Sequence, residues 1–97
     1  MNQRQRKKYG KTKIKTSELW NLDYTIAKFI YPRLKAFKEI VNTHPCDISF
    51  EEWKYTLDKM ILAFELLCKD NWYDDNEQIK INEGLNLFAK YYQHLWD

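Results

Sequence analysis

Ninety-seven residues with a formal net charge of +2 make one domain with a modest core. Apolar residues are 44% of the chain and aromatics 16%, which excludes a chain disordered throughout. No run approaches the ~20 apolar residues of a membrane span, and no apolar segment follows the basic N-terminus as it would in a signal peptide. The expected setting is therefore cytoplasmic, with Cys46 and Cys68 as free thiols, because two cysteines form neither a disulfide framework nor a metal motif.

The charge is unevenly placed. Residues 1–15 hold seven Lys/Arg and no acid, leaving the other 82 residues with nine basic and fourteen acidic groups, a net of −5. This predicts a flexible basic arm over 1–15 and a helical domain over 16–97. Such an arm suits nucleic acid or another anionic partner, and equally a solvated tail.

The first helix is expected to be capped by Thr16, Ser17 or Asn21, with Asp23 in its first turn if Asn21 is the cap. Leu19, Leu22, Ile26, Phe29/Ile30, Leu34, Phe37 and Val41 recur in steps of three to five, a helical stripe that excludes a strand. Pro32 falls inside it, so the helix kinks near residues 29–31 or two helices meet there; the unbroken phase favours the kink. Residues 42–47 read as a loop. Ser49-Phe50-Glu51-Glu52 is a capping box, with Ile48 and Trp53 at the hydrophobic-staple positions. Phe50, Trp53, Leu57, Met60/Ile61, Phe64 and Leu67/Cys68 give the second helix its apolar face. A loop over 69–76 carries Asp70, Asp74 and Asp75. The third helix starts near Asp75, with Ile81, Leu85, Phe88, Tyr92 and Leu95/Trp96 as its face. Gly84 inside that helix costs about 1 kcal/mol relative to Ala and implies close approach of another helix or a ligand. The fold class that follows is all-α: a small three-helix bundle, its first helix kinked at Pro32, behind a basic arm.

Catalytic and metal constellations are sparse. Cys46 and His44 are the one Cys/His neighbour pair, in a proline-containing loop without a third orienting group. His44 and His94 are far apart in sequence, and Asp70, Asp74 and Asp75 lack the spacing of a calcium loop. Gly10 and Gly84 form no phosphate-binding loop. No enzyme activity, metal or cofactor is expected.

The unusual segment is 20–38, which sets Lys28, Arg33, Lys35 and Lys38 among aromatic rings. Arg offers forked donors to phosphate, Lys adds point charge, and the rings can stack on a base. Trp20, Asp23, Tyr24, Lys28, Tyr31, Arg33 and Lys35 are the candidate ligand-binding residues. The plainer alternative places the rings in the core and pairs the charges with Glu52, Glu65 or Glu83.

Here the chain resembles a group of small uncharacterised proteins of tailed phages and prophages. The matching pieces are Trp20-Asn21-Leu22-Asp23, Ala27-Lys28-Phe29-Ile30 and Pro32-Arg33-Leu34-Lys35-Ala36-Phe37 in the first helix. Glu52-Trp53, Leu57-Asp58-Lys59-Met60-Ile61 and Ala63-Phe64-Glu65 follow in the second. In the third they are Asn82-Glu83-Gly84-Leu85, Phe88-Ala89-Lys90-Tyr91 and Leu95-Trp96. They span about residues 19–97 and leave out the arm. The resemblance implies a virus-encoded accessory protein that acts by binding, in counter-defence, inside a bacterial host. The expected ligand is a small nucleotide immune signal, in a site that a homo-oligomer could complete. A host defence protein is the alternative target, and nucleic acid held by the basic arm a third.

Overall fold

The computed structural model describes residues 14–69 and 72–97, and all regular structure among them is helical. Residues 1–13, most of the expected basic arm, and Asp70 of the acidic loop lie outside the described residues.

The first helix is divided. α1 (Thr16–Trp20) begins where the Glu18 carboxylate accepts the Lys15 backbone N–H at 2.9 Å. Neither Thr16 nor Ser17 serves as the cap, because the helix already includes both. Asn21 then breaks the chain at φ −124°, ψ 53° without a side-chain capping bond, although Asp23 does sit in the first turn of α2 (Leu22–Ile40). The Thr25 hydroxyl donates to the Glu18 carbonyl at 3.3 Å and ties the two pieces together.

α2 runs through Pro32 as one helix. Its core side consists of buried Ala27, Leu34 and Val41 with partly buried Ile30, Tyr31 and Phe37. The expected stripe is thereby corrected: Leu19, Leu22, Ile26 and Phe29 are exposed. At 3.6 residues per turn, steps of three to five fit two apolar stripes about a quarter-turn apart, and only one of them meets a neighbour.

α3 (Phe50–Leu67) opens on the capping box that its sequence predicts. Ser49 Oγ accepts the Glu52 N–H, and Glu52 Oε1 accepts the Ser49 N–H, each at 3.1 Å. Behind that start, Trp53, Leu57, Met60, Ala63 and Phe64 are buried, while Phe50 stays partly exposed at the end of the row. α3 is the central helix. α2 packs on one side of it and α4 (Asp75–Tyr91) on the other, and the described parts of α2 and α4 make no close backbone approach. Both packings are antiparallel: Lys38 pairs with Asp58 near one end of α2, and Lys59 pairs with Glu83 at 3.1 Å between α3 and α4.

α4 has its own capping box, with Asp74 Oδ1 accepting the Glu77 N–H at 2.7 Å and Glu77 Oε1 accepting the Asp74 N–H at 3.2 Å. Gly84 explains how closely α3 and α4 approach. A Cβ there would fall onto the Ala63 Cβ and within 2.6 Å of the Lys59 carbonyl oxygen. Reckoned with Gly84, the α4 core row is Ile81, Gly84, Phe88 and Tyr91. Leu85, Tyr92 and Trp96 are exposed where the expected face had them inside, because the core row runs through Gly84 and Tyr91, one residue earlier than Leu85 and Tyr92. Tyr91 instead packs edge-on against Trp53 at 5.4 Å and donates its hydroxyl to Asp47 at 3.3 Å. The C-terminus closes over the 42–48 loop, with Asp97 Oδ1 accepting the Asn42 N–H at 2.9 Å.

Candidate functional site

Four of the seven candidate residues share one stripe. Tyr24, Lys28, Tyr31 and Lys35 follow i, i+4, i+7, i+11, so they stack along α2 as neighbours. Each lysine lies over the tyrosine one turn before it: the Lys28 ammonium is 5.1 Å from the Tyr24 ring centroid and that of Lys35 is 5.2 Å from Tyr31. Both tyrosines are partly buried, Tyr31 against the core, while both lysines are exposed. The result is a ladder of two aromatic rungs, each carrying one cation.

Arg33 sits elsewhere. Its Nη1 donates to the Phe29 carbonyl at 2.9 Å and its guanidinium carbon lies 3.7 Å from the Phe29 ring centroid. Pro32 leaves the Lys28 carbonyl, four residues earlier, without its N–H donor. Arg33 donates one residue further on, to Phe29, and so does not replace that bond. Arg33 therefore does not converge with Lys28 and Lys35 in this structure. Asp23 Oδ1 accepts the Tyr24 N–H at 2.8 Å and so serves the start of α2. Trp20 stands 78% exposed at the end of α1.

The ladder leads into an open groove of about 330 Å³ between α2 and α3, lined by Lys35, Lys38, Glu39, Lys54, Asp58 and Ile61. The α3 residues Lys54, Asp58 and Ile61 are not among the ligand-binding candidates read from sequence; only the antiparallel register of α3 against α2 brings them there. Lys38 is paired with Asp58, and Lys54 donates to the Lys38 carbonyl. Among the described residues, Lys28, Arg33 and Lys35 have no ion-pair partner, so the expected pairing with Glu52, Glu65 or Glu83 is not how these charges are held. Glu83 pairs with Lys59 instead and raises its pKa, chiefly through that hydrogen bond. Two acids, Glu39 and Asp58, moderate the positive field at the groove end of the ladder.

The cysteines and histidines are not part of the ladder. The His44 ring lies 2.8 Å from the Pro45 carbonyl through Nδ1 and packs edge-on to Phe50, with Cys46 exposed beside it. Burial pushes the Cys68 thiol pKa up, which keeps it protonated and weakly nucleophilic at neutral pH. Among the described residues no three His, Cys, Asp or Glu side chains gather as a metal site would require. No helix among them is long and apolar enough to cross a membrane. Comparison with protein-family models, with curated proteins and with solved structures gives no match.

Proposed function

We propose that this chain is a non-enzymatic binding protein that sequesters a small anionic ligand bearing an aromatic ring, of the nucleotide class. The observation that carries this reading is the Tyr24–Lys28–Tyr31–Lys35 ladder. A base stacks on a tyrosine edge or face, and phosphates lie along unpaired lysines that are already held in line. The groove beyond Lys35 extends the contact for a second phosphate or sugar. Sequestration needs tight binding and slow release, not turnover. The residue resemblance to small phage proteins gives the setting: a virus-encoded counter-defence protein in a bacterial cytoplasm, removing a nucleotide immune signal.

Calorimetry with cyclic dinucleotides, cyclic mononucleotides and ADP-ribose tests the reading. At least one should bind, and the double substitution Lys28→Ala/Lys35→Ala should weaken it tenfold or more, about 1.4 kcal/mol. No heat with any of them, from a sample with native helix content, rejects it. A second reading, inhibition of a host protein, draws on the exposed rings of Trp20 and Trp72. A stoichiometric host protein retained on the wild-type chain, and lost with Trp20→Ala, would favour it.

A further inference from the structure

α2 carries a second heptad seam that faces no part of the described chain. Leu22, Ile26, Phe29, Arg33, Ala36 and Ile40 alternate steps of four and three, the spacing of a and d positions in a coiled coil. All six are exposed, with Leu22 at 47%, Ile26 at 45%, Phe29 at 59% and Ile40 at 63%. The core seam of the same helix, Ala27, Ile30, Leu34, Phe37 and Val41, has the same kind of spacing and is filled by α3 and its neighbours. One helix thus has two apolar seams and, among the described residues, one partner.

We propose that the second seam pairs with the same seam of a second copy, antiparallel, to make a two-fold dimer. The seam is self-complementary. With the chains reversed and centred near Tyr31, Leu22 meets Ile40 of the other copy, Ile26 meets Ala36, and Phe29 meets Arg33. The middle layer is a ring against a guanidinium, so the arginine enters the seam over an aromatic face, as it already does over its own Phe29. The larger layers lie to either side and the small Ala36 faces the branched Ile26. A closed, isologous contact of this kind ends at two copies.

The area is right for a dimer. Leu22, Ile26, Phe29 and Ile40, with exposed Leu19 and Trp20 at the α1 end, are each about half exposed or more. At ~200 Å² per large side chain the four seam residues leave roughly 430 Å² to cover, and exposed Arg33 and Ala36 between them widen the strip toward the ~800 Å² per partner of a standard interface. Residues 1–13 hold only Met1 and Tyr9 as large apolar side chains, too few to cover such a strip. At about 100° per residue, the seam and the Tyr24–Lys35 ladder lie on nearly opposite faces of α2. Dimerisation therefore leaves the ladder open, and this proposal stands whether or not the ladder binds a nucleotide.

Sedimentation equilibrium of the full chain should give about twice the 11.9 kDa chain mass at tens of micromolar. Ile26→Glu should return it to one chain mass with unchanged helix content, since Ile26 is exposed in the protomer. The register is read by crosslinking. In a Cys46→Ser/Cys68→Ser background, the pair Leu22→Cys/Ile40→Cys should form a covalent dimer on mild oxidation, and neither single change should. A wild-type chain of single mass up to millimolar concentration overturns the proposal and leaves the seam to a different protein. A dimer that survives Ile26→Glu, or one that crosslinks through Leu22→Cys alone, overturns it equally.

Discussion

Gly84 is defined by what stands opposite it. Helix propensity alone favours alanine there by about 1 kcal/mol, but the added Cβ collides with Ala63 and the Lys59 backbone. Backbone does not yield as a side-chain tip does, and overpacking of this kind costs ~1–3 kcal/mol. Gly84→Ala should therefore lower the urea midpoint at unchanged slope; an unchanged or raised midpoint would mean that α3 and α4 are not in close contact. Glu77 supplies a different test. The Lys69 ammonium, and after it the Asp74 backbone, hold its carboxyl below the usual carboxylate range. Because the folded pKa is the lower one, this contribution is present above the ordinary value near 4.3 and is lost as pH falls through the folded value. Glu77→Gln should flatten the acid limb of stability against pH and leave the neutral-to-alkaline limb alone; a parallel acid limb would contradict the assignment. The role of Gly84 was legible in the sequence, since a glycine inside a good helix needs a spatial reason. The place of Arg33 was not, because its fold-back onto Phe29 depends on a rotamer chosen beside Pro32.

The helices announce themselves unequally. Ser49 with Glu52 is a reciprocal cap that short-range pattern alone reveals, and it starts α3 where expected. Asp74 with Glu77 is the same device at α4, hidden in the sequence among neighbouring acids. Each of Ser49→Ala and Asp74→Ala should cost about 1 kcal/mol in unfolding free energy, read by thermal or urea melts. Asp74→Ala should cost the more, because it also loosens the Glu77 carboxylate that receives Lys69; the reverse order would count against that coupling. α2 shows where sequence reading stops. Its apolar residues read as one inward stripe, yet periodicity reports a face and not what lies against it. Two stripes about a quarter-turn apart produce one unbroken run of apolar residues. Only the packing of α3 on Ala27, Leu34 and Val41 separates the buried stripe from the open one.

At the scale of the molecule, α3 serves among the described residues as a shared core between α2 and α4, and this layout decides which faces of α2 stay open. A closed bundle would turn most of α2 inward. Here, among the described residues, α2 meets its neighbour along one seam and keeps the rest of its circumference. That remainder divides into an apolar seam and, on the far side, the tyrosine-lysine ladder with its groove. The all-α class and the position of the unusual segment were both readable from residue spacing. The division of that segment into two faces was not, because Arg33 and Lys35 are neighbours in sequence and point apart on the helix. The proposed function places a nucleotide on the ladder face of α2. It is tested most directly by a ¹H–¹⁵N correlation titration of the labelled full chain with ADP-ribose and with a cyclic dinucleotide. Saturable shifts are expected, concentrated at Tyr24, Lys28, Tyr31, Lys35 and the facing residues Lys54 and Asp58. Shifts confined to other parts of the chain, or a spectrum unmoved by either nucleotide at millimolar concentration, would contradict it.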